Sequence, residues 1–267
     1  MRRILLIVVG LLGLFGCAND RTLITEFQER KITIGNVTYA YRVFVPEGRN
    51  PNERIPVMLY LHGSGVRGDD NVAQADAFAL AVESVRDKIK FVVVIPQCRN
   101  DTFWASREMA SYALGALDQS VREFNGDDRQ LYLAGFSLGG YGTWQIAAAN
   151  PGKFAALMPV AGGVVGERPI AQADREAIIP SVGEMLDSEE PYKATARAIG
   201  STPVWAFHGA KDEAVPVAFS RTIVQALKGN GSTNVKYTEY RDEGHMIFAK
   251  SFAEPGFLEW LIAQKRK

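Results

Sequence analysis

The stretch Leu131-Tyr132-Leu133-Ala134-Gly135-Phe136-Ser137-Leu138-Gly139 decides how this chain is read. A short apolar run of strand character ends on a G-x-S-x-G pentapeptide, and a segment of helical character follows it to Asn150. A strand that turns sharply into a helix lifts the side chain at the turn clear of the backbone, and the flanking glycines permit the turn and the close packing behind it. The start of the helix also leaves unpaired N–H groups beside that side chain. Ser137 is therefore a candidate nucleophile, with the Leu138 N–H positioned to donate to an oxyanion that develops next to it.

A serine hydroxyl is a weak nucleophile near neutral pH and needs a base, most often a histidine oriented by a carboxylate. The chain has three histidines, His62, His208 and His245. Asp212 and Glu213 compete as the acid, in His208-Gly209-Ala210-Lys211-Asp212-Glu213-Ala214-Val215-Pro216. His245 lies beyond them in Asp242-Glu243-Gly244-His245.

Around this centre the chain alternates strands with helices. Residues 31–45 are β-branched and aromatic with Gly35-Asn36 as a turn, which predicts an antiparallel hairpin. Short apolar runs at 57–61, 91–95, 130–134, 157–160, 203–207 and 235–240 predict strands. Helices are expected near 74–87, 105–124, 138–150, 216–227 and 254–265. Strands alternating with helices give a parallel sheet covered on both faces. The connection 161–202 is longer than a crossover requires. It reads either as a lid or as ordinary surface helices at 171–178 and 192–199.

The whole chain from about residue 31 resembles the α/β-hydrolase superfamily. The motifs are Leu61-His62-Gly63-Ser64-Gly65-Val66-Arg67-Gly68-Asp69-Asp70-Asn71, Pro96-Gln97-Cys98, the Ser137 pentapeptide, the G-x-x-D-x-x-V-P segment around Asp212, and Gly244-His245. They are similar to the predicted phospholipase, carboxylesterase and peptidase group, near its feruloyl-esterase-like and dienelactone-hydrolase-like branches. That resemblance implies a mostly parallel, twisted sheet of about eight strands with helices on both faces and the antiparallel hairpin at its N-terminal edge. It also implies a triad in the order Ser137, Asp212, His245, and leaves His62 and His208 as structural groups at strand ends. The N–H of Ser64 becomes the second oxyanion donor, and Trp104 stands where the group tends to carry an aromatic near its acyl or alcohol pocket, a plain core position being the other reading. The group cleaves carboxylic esters without a cofactor. Peptide and thioester substrates suit the same machinery, as does a phospholipase role, and a binding protein on a retired hydrolase scaffold is a rival of another class. The peptidase ranks lower, because no propeller or other large gating domain precedes the catalytic one.

Composition bounds the remaining classes. With 267 residues, 47% of them hydrophobic and 22% charged, the chain can bury one substantial core, and a single catalytic domain over 31–267 is expected. Thirty basic and thirty acidic residues cancel, which argues against a nucleic-acid partner. No Cys and His cluster has metal-ligand spacing. Arg2 and Arg3 precede an apolar run from residue 4 to 15, the layout of a secretory signal and too short for a stable membrane span. Leu14-Phe15-Gly16-Cys17 resembles the lipobox of bacterial lipoproteins, with an ordinary signal peptide as the alternative. The expectation is a signal at 1–16, lipid on Cys17, and a tether over 17–30. Ala18 after the cysteine favours the outer membrane, so the enzyme would face the periplasm or the cell surface, held by its lipid. With Cys17 acylated, Cys98 is left without a disulfide partner and reads as a small buried hydrophobe. The expected substrate is a small-molecule or polysaccharide-linked ester.

Overall fold

The computed structural model describes residues 27–166 and 172–267. The expected signal, Cys17 and most of the tether lie outside them. A β1 (Phe27–Ile34) and β2 (Val37–Phe44) hairpin leads in, turning at Gly35 with φ 59°. It is followed by β3 (Ile55–Leu61), β4 (Val92–Pro96), β5 (Gly126–Phe136), β6 (Ala156–Val160), β7 (Val204–Gly209) and β8 (Val235–Tyr240). The sheet order is β1-β2-β4-β3-β5-β6-β7-β8. Strands β3 to β8 pair in parallel, and the hairpin joins β4 antiparallel. This is the α/β-hydrolase sheet that the sequence implies.

The parallel strands read as continuous apolar runs because both faces are covered, and alternate side chains leave the strand on opposite sides. Val57, Leu59, Leu131 and Leu133 point into one core. That core is closed by α2 (Arg107–Glu123), α3 (Leu138–Ala149), α5 (Pro180–Leu186), α6 (Pro191–Ile199) and α7 (Val217–Gly229). Met58, Tyr60, Tyr132 and Ala134 point into the other, under α1 (Ala73–Val82), α8 (Phe248–Phe252) and α9 (Phe257–Ile262). Among the described residues the remaining α-helix is α4 (Gln172–Ala177).

The boundaries differ from the sequence reading in instructive places. The first strand begins at Phe27, so residues 27–30 belong to the sheet instead of the expected tether. Phe27 is buried against Phe44 and Phe78, and this burial holds the strand's start in place. The expected helix at 254–265 begins later, at Phe257, because Gly256 turns the chain with φ 76°. A short helix, α8, precedes it directly after His245. The segment 161–202 carries three helices in its described part, and α5 and α6 pack on α3 with Val182, Ala196 and Ile199 buried.

Candidate active site

The site is built at the carboxyl ends of the parallel strands, where this kind of sheet presents its loops. β5 ends at Phe136 and α3 begins at Leu138, so the chain reverses at Ser137 alone. Its backbone stands at φ 55°, ψ −115°, a conformation that costs an ordinary residue about 1–3 kcal/mol and persists only when its surroundings impose it. Two hydrogen bonds do so: the Ser137 N–H donates to the Val160 carbonyl at 2.9 Å, and the Ser137 carbonyl accepts from the Tyr141 N–H at 3.0 Å. The glycines are steric requirements. A Cβ on Gly139 would lie 1.8 Å from the Leu61 carbonyl oxygen, and one on Gly135 would lie 2.1 Å from that of Gly139.

Two further loops meet over this elbow. The loop after β7 is stapled to the loop after β8 by the Ala210 N–H on Tyr240 O and the Lys211 N–H on Glu243 O, each at 2.9 Å. Asp212 and His245 are thereby brought together. The Asp212 carboxylate accepts from the Ala214 and Val215 N–H groups through Oδ1 at 2.9 and 2.8 Å. Its Oδ2 lies 2.7 Å from His245 Nδ1, and His245 Nε2 lies 2.9 Å from Ser137 Oγ. A carboxylate only accepts, so the imidazole proton sits on Nδ1 and the Nε2 lone pair faces the serine hydroxyl. The arrangement can remove a proton from Ser137 and return it to a leaving group. Glu213, the competing acid, is exposed on the surface.

Leu138 is the first residue of α3, and Ser64 is the first of a single 3₁₀ turn, Ser64–Val66, in the loop after β3. Neither N–H has a partner within its own helix, which leaves both to donate outward. The loop carrying Ser64 is held from behind by His62. Its Nδ1 donates to Gly63 O at 2.7 Å and its Nε2 accepts from the Cys98 N–H at 2.9 Å. Burial pushes the His62 pKa down to about 4, which keeps the ring neutral for that pair of bonds.

A cavity of about 560 Å³ opens beside the serine. Ser64, Val66, Ala77, Leu80, Phe136, Ser137, His245, Met246 and Phe248 are among its walls, and none of its lining side chains is an acid, a lysine or an arginine. The Phe136 ring packs 5.0 Å from that of His245. Leu80 and Met246 stand at its mouth as two of the large apolar side chains most exposed to solvent, at 61% and 80%. Sequence reading missed both, since an apolar residue on a helix or after a catalytic histidine carries no local sign that it borders a pocket.

Trp104 is not among the cavity walls, and the pocket assignment for it gives way to the core one. It is 1% exposed, its Nε1 donates to His62 O, and its Cβ lies under Gly142 of α3. The described part of 161–202 contributes no wall either. Cys98 is fully buried with its thiol pKa pushed up to about 12 by desolvation, so it is inert as a nucleophile. Among the described residues no three His, Cys, Asp or Glu side chains are gathered as metal ligands, and no helix is long and apolar enough to cross a membrane.

Residues 110–258, more than half of the chain, match the prolyl oligopeptidase family. An uncharacterized secreted protein of Arthroderma benhamiae is 24% identical, over 84% of this chain and 25% of its own length. A bifunctional acetylxylan esterase/xylanase of Neocallimastix patriciarum is 32% identical, over 45% of this chain and 17% of its own. The chain thus spans a quarter or less of these two curated relatives. Among solved structures, a thermostable esterase superposes with a TM-score of 0.70 at 28% identity, covering 91% of this chain and 64% of that one.

Proposed function

We propose that this chain, which belongs to the prolyl oligopeptidase family of α/β hydrolases, is a serine esterase that cleaves carboxylic esters through Ser137, His245 and Asp212. The observation that carries the reading is the unbroken hydrogen-bond line from Ser137 Oγ through both nitrogens of His245 to Asp212, at the edge of an apolar cavity. The likeness to an acetylxylan esterase and to a thermostable esterase supports it.

In this mechanism His245 takes the Ser137 proton as the serine oxygen attacks the ester carbonyl. The N–H groups of Ser64 and Leu138 receive the oxyanion, each donor lowering the barrier by about 3 kcal/mol. His245 then protonates the departing alkoxide, and Asp212 stabilises the imidazolium in between. Water, deprotonated by the same histidine, frees the acid from the acyl-enzyme, so no cofactor is required. The uncharged walls suit an ester with an apolar or aromatic portion, either free or linked to a polysaccharide.

The lipobox-like residues around Cys17 and the secreted relative support export, with a lipid anchor at Cys17 holding the catalytic domain to a membrane surface. The family match gives a peptidase as the second reading, with the same triad acting on an amide.

Hydrolysis of a chain-length series of p-nitrophenyl esters by the full chain in detergent, with Ser137→Ala alongside, tests the proposal. Cleavage of esters by the native protein and none by the variant is expected. Cleavage of peptide p-nitroanilides with no ester turned over would transfer the assignment to the peptidase. Absence of fluorophosphonate labelling at Ser137 in folded protein would sink both.

A further inference from the structure

We propose that His208 is a positioning residue of the triad, whose ring N–H lies against the buried Asp212 carboxylate and, through the Val215 carbonyl, holds the turn that ligates that carboxylate toward His245. The inference rests on the catalytic reading above and concerns a residue that the sequence assigns only to packing.

His208 is the penultimate residue of β7, and the tight turn after it brings Asp212 back beneath its ring. Both side chains are completely buried. His208 Nε2 lies 3.1 Å from Asp212 Oδ2 and 3.0 Å from the Val215 carbonyl oxygen. Both neighbours can only accept, so the proton is on Nε2; it donates to Val215 O, and Asp212 Oδ2 lies beside the same N–H as a close electrostatic neighbour off the hydrogen-bond direction. Nδ1 is then the acceptor in a neutral ring, and the one Ser220 hydroxyl proton is shared between it, at 2.7 Å, and the Gly162 carbonyl oxygen, at 3.2 Å. Ser220 is itself buried on α7, so that helix sets the plane of the ring. Burial holds the His208 pKa below its ordinary value, consistent with a neutral ring. The charged and titratable groups around it are Asp212 and His245 from the neighbouring loops, and Glu239, which stands opposite His208 on β8 and is paired with Arg221 of α7.

Counting donors shows what His208 adds. A carboxylate offers about four lone-pair sites. At Asp212 the Ala214 and Val215 N–H groups fill Oδ1, while Oδ2 accepts from His245 Nδ1 and has the His208 Nε2–H 3.1 Å beside it. Removing His208 takes away the polar N–H that faces Oδ2 and leaves the Val215 carbonyl unpaired in the turn whose N–H groups hold Oδ1. A chain of contacts then runs Ser220, His208, Asp212, His245, Ser137, from the covering helix to the nucleophile.

The test compares His208→Leu, which keeps bulk without a donor, with His208→Gln, which can present an amide N–H toward Val215 O and Oδ2. For ester hydrolysis, His208→Leu should lose kcat by about 10- to 100-fold with KM nearly unchanged. The acidic limb of its kcat/KM profile should move to higher pH, because the carboxylate charge is no longer offset by the N–H beside it. His208→Gln should recover most of both effects. Equal losses in the two variants with an unmoved acidic limb would overturn the proposal and return His208 to packing. If His208→Leu does not fold, Ser220→Ala supplies the same comparison in weaker form, with an unchanged profile counting against the proposal. The downfield proton resonance of the His245–Asp212 hydrogen bond reads the positioning without turnover. A wild type that folds yet hydrolyses nothing would sink the catalytic reading, whereas a resonance unaltered in His208→Leu would sink this one.

Discussion

The indole Nε1 of Trp104 donates to the backbone carbonyl of His62 at 2.9 Å, two residues before Ser64. The same loop is tied on its other side by the His62 ring to Cys98, just beyond β4. Trp104 therefore acts on the Ser64 loop from behind, without being among the cavity walls. Trp104→Phe keeps most of the packing and deletes the donor. We expect kcat to fall about 10-fold through a loosened Ser64 N–H. The order of preference along an ester chain-length series should stay the same. A reordered series would place the ring in the pocket after all, and steady-state kinetics on four or five esters decides it.

Asp212 and Glu213 are adjacent acids with opposite fates. Asp212 is buried and accepts from His245, whereas Glu213 faces solvent. Asp212→Asn should reduce kcat by about 10³- to 10⁴-fold, since an amide in that place favours the wrong histidine tautomer. Glu213→Gln should leave kcat within about twofold of the native value. Parallel kinetics on the two variants would reverse the assignment if the larger loss fell on Glu213.

The elbow makes a prediction about stability. A methyl group on Gly139 would meet the Leu61 carbonyl at 1.8 Å, and backbone cannot rotate away as a side chain does. Gly139→Ala should destabilise the protein by about 3 kcal/mol or more, or displace Ser137. Denaturant unfolding together with fluorophosphonate labelling separates the two, and a variant normal in both would show that β3 and α3 have room that this geometry denies them.

What the sequence made legible follows from how local each signal is. The strand, elbow and helix around Ser137 are contiguous, and their glycines are demanded by sterics, so a nine-residue window suffices. Asp212 and His245 were readable as members of a family pattern, although the meeting of their loops is a tertiary fact. His208 was passed over because a histidine at a strand end looks alike whether or not a carboxylate folds back beneath it. Trp104 misled for a related reason, since proximity to the site in sequence does not say which side of the loop a ring occupies. Phe27 was assigned to the tether because the Phe44 and Phe78 rings that bury it are distant in the chain.

His62 gives the fold a pH dependence of definite sign. Its pKa is about 4 in the folded protein against 6.5 for a free histidine. Above 6.5 the ring is neutral in both states and its contribution is fully present. As pH falls through 6.5 toward 4 the unfolded chain takes up a proton that the folded one refuses, so stability is lost, by roughly 3 kcal/mol in total. His208, shifted the same way by burial, adds to this loss. The lowered carboxylates Asp70 and Asp127 act only as pH falls below about 4, because 3.8 is their ordinary value. Urea unfolding between pH 7.5 and 5 should show the decline, and His62→Gln should be less stable at pH 7.5 yet flatter across the range. An equal slope in the variant would mean that another group carries the dependence.

Leu80, on α1, and Met246, the residue after His245, both line the cavity beside Ser137. Solvent reaches most of both side chains, an arrangement that favours a site meant to be covered by something apolar. A bound aliphatic or aromatic group would remove part of each from water, at about 25 cal/mol for every Å² buried. Replacing both by serine should therefore lower kcat/KM for a hexanoate or cinnamate ester by about 10-fold and leave acetate hydrolysis nearly unchanged. The discrimination should appear mainly in KM, since these contacts lie away from the reacting carbonyl and stabilise substrate and transition state alike. If acetate turnover fell in step with the larger esters, the two side chains would be supporting the His245 loop instead of receiving substrate, and the pocket would have to be sought on the Ser64 side of the nucleophile.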